Sequence, residues 1–352
     1  MKSKKNLLAA TVAFFMGSGA VSSVVAQDDV NAKPKGNYSI EEIVVTATKR
    51  GAGTSIQDTA MAISALSGDT IDKRGLVGMD DYLRTLPSVN MQDRGAGQNS
   101  IVIRGVAADP QAERETVGVY FGETSIVDLG GSGANGSAGN ADIKLVDIER
   151  IEVLRGPQGT LYGSGSMGGT VRIIPKRPNL TELEGNIAAG FSQMSERGGD
   201  NSKIQAVVNV PLIEDRLAIR ALAYRFDNSG YIDNVALSQP TPVLQEAIAA
   251  GGVARDYGDV GSDEYTGYRV TALWEPSDAL DISLSYMNQE IEQNGAPEVN
   301  LLLDGDHLQT RLGVGTGGGD RELRASDIDV TSLVINYDLD WASVTSASSW
   351  ID

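Results

Sequence analysis

Three groups of residues in this 352-residue chain have types and spacings that could do chemistry. The first is Gly163-Ser164-Gly165-Ser166-Met167-Gly168, a literal G-x-G-x-x-G. That pattern holds a dinucleotide pyrophosphate when its last glycine opens a helix whose N-terminal amides face the phosphates. Here Thr170-Val171-Arg172-Ile173-Ile174 follows, a β-branched run closed by Pro175 and Pro178, so a strand is expected and the glycines read as a turn. No Gly-Lys-Ser/Thr follows, which excludes a P-loop. The second group is Arg150, Glu152 and Arg155, charges set among Ile148, Ile151, Val153 and Leu154 so that they could pair with opposite charges on a facing surface. A solvated strand edge accounts for them equally well. The third group is small: one histidine and no cysteine leave thiol catalysis, a Cys/His zinc site and a Ser-His-Asp triad without support, and an enzyme is not expected.

The elements that must position these residues follow from periodicity. Ile148 to Leu154 has the alternation of a half-buried strand, and Gly156-Pro157 and Gly159 end it. The unit is strand, glycine-rich turn, strand, with Gly163, Gly165 and Gly168 expected as backbone necessities. Upstream, Met61 to Leu66, Ser100 to Gly105 and Val117 to Gly122 read as strands. Thr70 to Arg74 reads as a short helix ended by Gly75, and Met79 to Leu86 as a second, with Asp80 and Asp81 at its start and Pro87 at its end. The stretch 127–142 is nearly all Gly, Ser, Ala and Asn, too poor in apolar atoms to offset its ordering entropy, and a mobile loop is expected.

At the N-terminus Lys2, Lys4 and Lys5 precede an apolar run, Leu7 to Met16, and Val24-Val25-Ala26 places small residues where a signal peptidase cuts. The run is too short to span a bilayer, so residues 1–26 are expected to be a cleaved export signal. Residues 27–38 have the polar composition of a flexible leader. Glu41-Glu42-Ile43-Val44-Val45-Thr46-Ala47-Thr48-Lys49-Arg50 then sets β-branched residues between acidic and basic ends, which suits a segment able to add itself to a sheet edge, or an ordinary first strand. The formal net charge of −18 argues against nucleic acid as a partner.

Beyond Pro178 the period becomes two. Seven strands are expected, near 186–193, 203–211, 216–226, 265–275, 280–290, 329–339 and 341–350. In them Ile204, Ala206 and Val208, or Tyr268, Val270, Ala272 and Trp274, alternate with Lys203, Gln205, Asn209, Arg269 and Thr271. Short turns at 211–215 and 275–278 contrast with long polar stretches at 227–264 and 290–327, the asymmetry of an outer-membrane barrel. Seven strands leave free edges and cannot close, so an incomplete barrel is expected.

In order, the segments MAISAL, IVIRG, VGVYFGE and IERIEVLRGPQGTLYGSGSMGGTVRII resemble the succession of plug motifs in TonB-dependent outer-membrane receptors. The resemblance implies a mixed α/β plug domain followed by antiparallel transmembrane β-strands, with residues 1–26 as signal, 27–55 as leader, 56–180 as plug and 181–352 as the N-terminal portion of a barrel that has about 22 strands in the family. The segment EIVVTA resembles the Ton box, so Glu42, Ile43, Val44, Val45, Thr46 and Ala47 would pair with the periplasmic coupling protein TonB. Arg104, Gly105, Arg150, Glu152, Arg155, Gly156, Gly159, Gly163, Gly165 and Gly168 would be structural or locking residues of the plug, Arg155 foremost, its partner glutamates in the barrel or beyond this chain. The implied function is energy-coupled uptake of a scarce substrate such as an iron-siderophore, cobalamin or oligosaccharide across the outer membrane, with lipid around the barrel and no cofactor or metal. The alternative is a truncated, non-transporting protein that binds TonB without forming a pore.

Overall fold

A computed structural model describes residues 44–47, 49, 53–93, 99–106, 115–127, 141–195, 197–303, 305–311 and 323–352. The expected signal peptide, most of the leader and nearly all of the glycine-rich stretch 127–142 lie outside these residues.

The first region is built on a five-stranded sheet in the order β3-β8-β9-β6-β7: β3 (Ile63–Ser67), β6 (Val117–Phe121), β7 (Thr124–Ser125), β8 (Ile148–Arg155) and β9 (Gly169–Pro175). Strands β8 and β9 run antiparallel, while β6 and β9 are parallel. Two smaller pairs flank it, β1 (Val44–Val45) with β2 (Thr54–Ser55), and β4 (Val89–Asp93) with β5 (Asn99–Ile103). Helix α1 (Gly68–Arg74) stops at Gly75, whose φ of +67° is the left-handed cap that glycine adopts without a Cβ penalty. Helix α2 (Met79–Leu83) is shorter than its sequence pattern. The Asp81 carboxylate reaches back to the Val77 and Gly78 amides at its start, and ahead of Pro87 the chain leaves the α-helix for tight turns at Thr85 and Leu86. Apolar alternation closes the core: Ile101 and Ile103, Val117 and Val119, Ile151 and Val153, Val171 and Ile173 are buried together with Met79, Tyr82 and Leu83.

Instead of an unbroken turn, the glycine-rich segment forms one helical turn, α3 (Gly159–Tyr162), before Gly163. The G-x-G-x-x-G therefore leads into strand β9 and no helix opens at its end. Gly163 has φ +75°, but Gly165 and Gly168 are not among the residues with positive φ, and a Cβ on Gly165 would meet nothing nearer than 3.9 Å. The tight position is Gly169: a Cβ there would lie 2.3 Å from the Leu154 carbonyl oxygen, so the crossing of β8 and β9 requires glycine.

All seven expected long strands are present as one antiparallel sheet: β10 (Glu184–Gln193), β11 (Asp200–Ile213), β12 (Leu217–Asn228), β15 (Ser262–Ser277), β16 (Leu280–Asn294), β18 (Leu323–Leu339) and β19 (Ala342–Ile351). Most exceed their expected ranges because the pairing continues past the apolar band toward the long loops. Along β12 and β15 the faces separate by period two. Ala218, Arg220, Leu222, Tyr224 and Phe226, with Tyr265, Arg269, Thr271 and Leu273, are buried toward the first region, whereas Tyr268, Val270 and Trp274 are exposed. Ile187, Ile204, Val208, Leu284, Tyr337 and Val344 extend this outward apolar surface around the sheet. Among the described residues β10 and β19 each keep one edge without a neighbour.

The long loops are not merely polar excursions. Strands β13 (Ile232–Val235), β14 (Asp256–Val260) and β17 (Leu308–Gln309) form a small sheet in the order β14-β13-β17, and helix α4 (Pro242–Ala249) connects β13 to β14. Asn234 joins the two loops: its side-chain nitrogen donates to the Arg255 and Arg311 carbonyls, and its oxygen accepts from the Arg311 amide.

Candidate functional site

Two contacts link parts of the chain that must separate if the fold is to move, and each is made by charged side chains. The first holds the N-terminal extended segment. Val44–Val45 pairs with Thr54–Ser55, Val44 is 47% exposed, and Val45 and Ala47 are fully buried. Beyond the two-residue pairing, side chains take over from backbone. The Thr46 amide donates to Glu152 Oε1 at 2.9 Å, and the Tyr162 hydroxyl donates to the Ala47 carbonyl at 2.6 Å. Arg150 Nη2 and Arg172 Nη1 both donate to Thr46 Oγ1, at 2.9 and 3.1 Å.

These groups are held by a network in β8 and β9. Glu152, with no exposed surface, accepts from Arg150 Nε at 2.8 Å and from Arg172 Nη1 at 3.0 Å. Arg172 also donates to Glu123 at 2.6 Å, and Lys49 pairs with the other Glu123 oxygen at 3.1 Å while lying over the Tyr162 ring. Tyr120 donates to the Tyr162 carbonyl and meets its ring edge-on. Burial pushes the Tyr162 hydroxyl above its ordinary range, so it stays a donor. In this network the buried Glu152 and Arg172 each have a partner of opposite sign, the condition for keeping charges out of water.

The second contact joins the plug-like region to the wall. The stretch from Ala141 to Ile148 runs along the inner face of β12, β15 and β16. Arg220 grips Asp147 with two donors, Nε at 2.7 Å and Nη2 at 2.6 Å, and reaches Glu184 with a third at 2.8 Å. Arg269 Nη2 donates to the Asp147 carbonyl at 2.9 Å and its carboxylate at 3.3 Å. Asp147 is in the left-handed region, φ +55°, a conformation that Asp tolerates better than most residues. Closer to the long loops, the Gln289 amide donates to the Asp142 carbonyl and its oxygen accepts from the Lys144 amide and the Tyr224 hydroxyl. Tyr265 donates to the Asp142 carboxylate, and the Lys144 ammonium lies 3.5 Å from the Tyr265 ring centroid. Apolar packing backs these bonds, since Met287, Ile328 and Val330 of the wall belong to the same core as β5, β6, β8 and β9.

The expected site residues fall unevenly on this geometry. Glu42 and Ile43 lie outside the described residues, while Val44 to Ala47 are at the first contact with Arg150 and Glu152. Among the described residues Arg150, Glu152 and Arg155 are not bonded to barrel carboxylates. Arg150 and Glu152 turn to the N-terminal segment, and Arg155 donates to Ser64 Oγ at 3.0 Å and the Pro87 carbonyl at 3.4 Å. By period two Arg150 and Glu152 share the face of β8 that carries the N-terminal segment, and Arg155 lies on the opposite face. Arg104 (φ +54°), Gly105 (φ +76°) and Gly156 (φ +118°) form turns beside one another, Gly159 opens α3, and Gly163, Gly165 and Gly168 lie in the loop before β9. Asp147, Arg220, Arg269, Glu123, Tyr162 and Arg172 are the functional residues that motif reading missed. A signal existed, for Arg172, Arg220 and Arg269 are single charges inside apolar strand stretches and each needs a buried partner.

A small α/β domain seated by ion pairs against a β-sheet with an apolar outer face is the plug-and-barrel architecture of outer-membrane receptors. Residues 55–170 match the family model TonB-dependent Receptor Plug Domain. The chain is 27% identical over 293 residues to the probable TonB-dependent siderophore receptor PirA of Acinetobacter baumannii, covering 80% of this chain and 36% of that protein. It is 30% identical over 230 residues to the ferric enterobactin receptor PirA of Pseudomonas aeruginosa, covering 62% of this chain and 30% of the relative. The fold is similar to the crystal structure of the ferric yersiniabactin uptake receptor FyuA from Yersinia pestis, with a TM-score of 0.60 at 19% identity over 83% of this chain and 40% of that one. A crystal structure of the siderophore receptor PirA from Acinetobacter baumannii gives 0.59 at 21% identity, covering 82% and 39%. Residues 55–170 are thus a TonB-dependent receptor plug domain, and an antiparallel sheet with the fold of an incomplete receptor barrel follows it. The chain spans between a fifth and about a third of the length of the curated relatives it matches.

Proposed function

We propose that this chain is the plug-bearing part of an outer-membrane receptor for energy-coupled uptake, with Val44 to Ala47 as the segment that TonB engages. The observation carrying the proposal is that segment itself: a short strand, Val44–Val45, that runs into a turn at Ala47 and whose backbone is held by one strand pair and by side chains, beside a plug seated in a lipid-facing sheet. An added strand draws its affinity from main-chain hydrogen bonds, and the backbone at Val44–Val45 already pairs as a strand. Ferric siderophores are the substrate class we favour, because relatives that match over 80% and 62% of the chain carry siderophore or ferric enterobactin in their names.

The test is Val44→Pro in a receptor containing the remaining barrel strands. Proline removes a backbone donor and fixes φ, so energised uptake of a ferric siderophore should be lost while binding at the cell surface is retained. Uptake at the parent rate would refute the assignment.

A further inference from the structure

The plug does not meet the inner wall closely everywhere. Between the start of α2 and the loop ends of β10, β11 and β12 lies a cleft of about 480 Å³, lined on the plug side by Val77, Gly78, Asp80, Asp81 and Lys144. On the wall side Gly190, Lys203 and Phe226 sit directly opposite one another across the three strands, so they share the inner face, and Ser192 and Asn201 continue that face toward the loops. Val77 and Phe226 also belong to the apolar cluster with Leu222 and Tyr224, which closes the cleft on the side away from the loops.

Four charged side chains line this cleft, and two of them are already satisfied. Asp81 accepts from the Val77 and Gly78 amides at 3.0 and 3.1 Å, and Asp80 pairs with Arg84 at 3.5 Å. Among the described residues Lys144 and Lys203 have no carboxylate within ion-pair distance. The Lys144 ammonium rests on the Tyr265 ring, and the Lys203 stem crosses Gly190, where a Cβ would lie 2.6 Å from Lys203 Cε. Glycine at position 190 thus leaves the room in which that lysine lies. In a chain with 47 acidic and 29 basic residues, two cations without a counter-charge, one from the plug and one from the wall, are an arrangement that calls for an anion. We infer that the cleft binds a small solute through an oxyanion, carboxylate or phosphate, held between the Lys144 and Lys203 ammonium groups. Such an oxyanion gains charge-assisted hydrogen bonds from both lysines, and the cleft has the volume of a small-molecule site. Because each lysine belongs to a different part of the chain, the bound anion bridges plug and wall. The cleft is separate from Val44 to Ala47, so it stands or falls independently of the TonB reading.

The absence of cysteine makes the test direct. In the 352-residue chain in detergent micelles, Ser192→Cys places a single thiol on the inner face beside the cleft, and its maleimide labelling slows when the cleft is occupied. Sodium citrate and inorganic phosphate are the probes, each compared with sodium chloride at equal ionic strength to remove the effect of screening. At least one should protect the thiol beyond sodium chloride, and the one that does identifies the oxyanion. Adding Lys203→Gln or Lys144→Gln should raise the concentration for half protection about tenfold or more, the effect of one lost charge-assisted hydrogen bond. Lys73→Gln, which removes an exposed ammonium paired with Asp69 on α1, should leave it at the parent value, and melting temperatures close to the parent establish that each variant is folded. No protection beyond sodium chloride by either probe, or half protection unmoved by both lysine substitutions, would overturn the site. A shift in only one of them would place the anion on that lysine alone and overturn the bridge between plug and wall.

Discussion

Asp147 concentrates the contact between plug and wall into one carboxylate. It is shared by two guanidiniums that are themselves almost fully buried, and removing one member of such a cluster leaves an uncompensated charge out of water. Asp147→Asn keeps a side chain that tolerates left-handed backbone, so it isolates the charge from the strain. It should lower stability by about 3 kcal/mol or more, read from denaturant unfolding of the chain in micelles. A second residue makes a pH-dependent expectation. Burial, then the neighbouring Asp81, holds the Asp80 carboxyl above its ordinary value of 3.8, with Arg84 opposing. A raised acid means the fold disfavours the charged form; the cost is present at neutral pH and disappears as pH falls below 3.8. Asp80→Asn should therefore raise the melting temperature modestly at pH 7, and the gain should vanish toward pH 4. A gain that grew on acidification would show that another group dominates.

The crossing of β8 and β9 is the element on which both contacts depend, since β8 carries Arg150 and Glu152, β9 carries Arg172, and Asp147 immediately precedes β8. Gly169 permits that crossing. Gly169→Val would drive a branched side chain into the Leu154 carbonyl and should destabilise the chain by about 2 kcal/mol or more, while Gly165→Val, in open space with an ordinary φ, should cost far less. Thermal melting of the two variants side by side distinguishes them, and equal losses would mean that the loop before β9 is packed against something further. The sequence marks all these glycines alike. Only the backbone conformation separates a glycine that is required from one that is merely present, because the requirement comes from a neighbouring strand and not from the local run. Helix α2 teaches the same lesson from the other side: its apolar spacing continues to Leu86, but the steric demand of Pro87 on the residue before it ends the helix sooner.

At the scale of the molecule, the plug is anchored to one continuous arc of wall, β12 through β18, by ion pairs, amide contacts and a shared apolar core. Exposed apolar side chains, Ile204, Val270 and Trp274 among them, line the outer surface of the same sheet. Among the described residues β10 and β19 each have one edge of unpaired backbone groups, which in hydrocarbon cost several kcal/mol each. Expressed as these 352 residues alone, the protein should lack heat-modifiable migration on gels and protease protection in outer-membrane fractions. Both properties together would show closure, by oligomerisation or otherwise.

The amino-acid sequence by itself determined the seven-strand count of the sheet, the order of the plug strands and the extended character of the segment around Val44. These depend on period-two alternation and on turn-forming residues, signals that a few neighbouring side chains carry whatever the rest of the chain does. It did not determine which charges meet. Glu152 and the Thr46 amide are separated by 106 residues, and Arg220 and Asp147 by 73, and nothing local to either member specifies the other. The pairing of the two long loops through Asn234 is of the same kind. Strand propensity is a property of a segment, whereas the desolvation that makes a buried charge demand a partner exists only once the segments have packed, and so the plug's hold on its N-terminal segment and its grip on the wall are decided by tertiary structure.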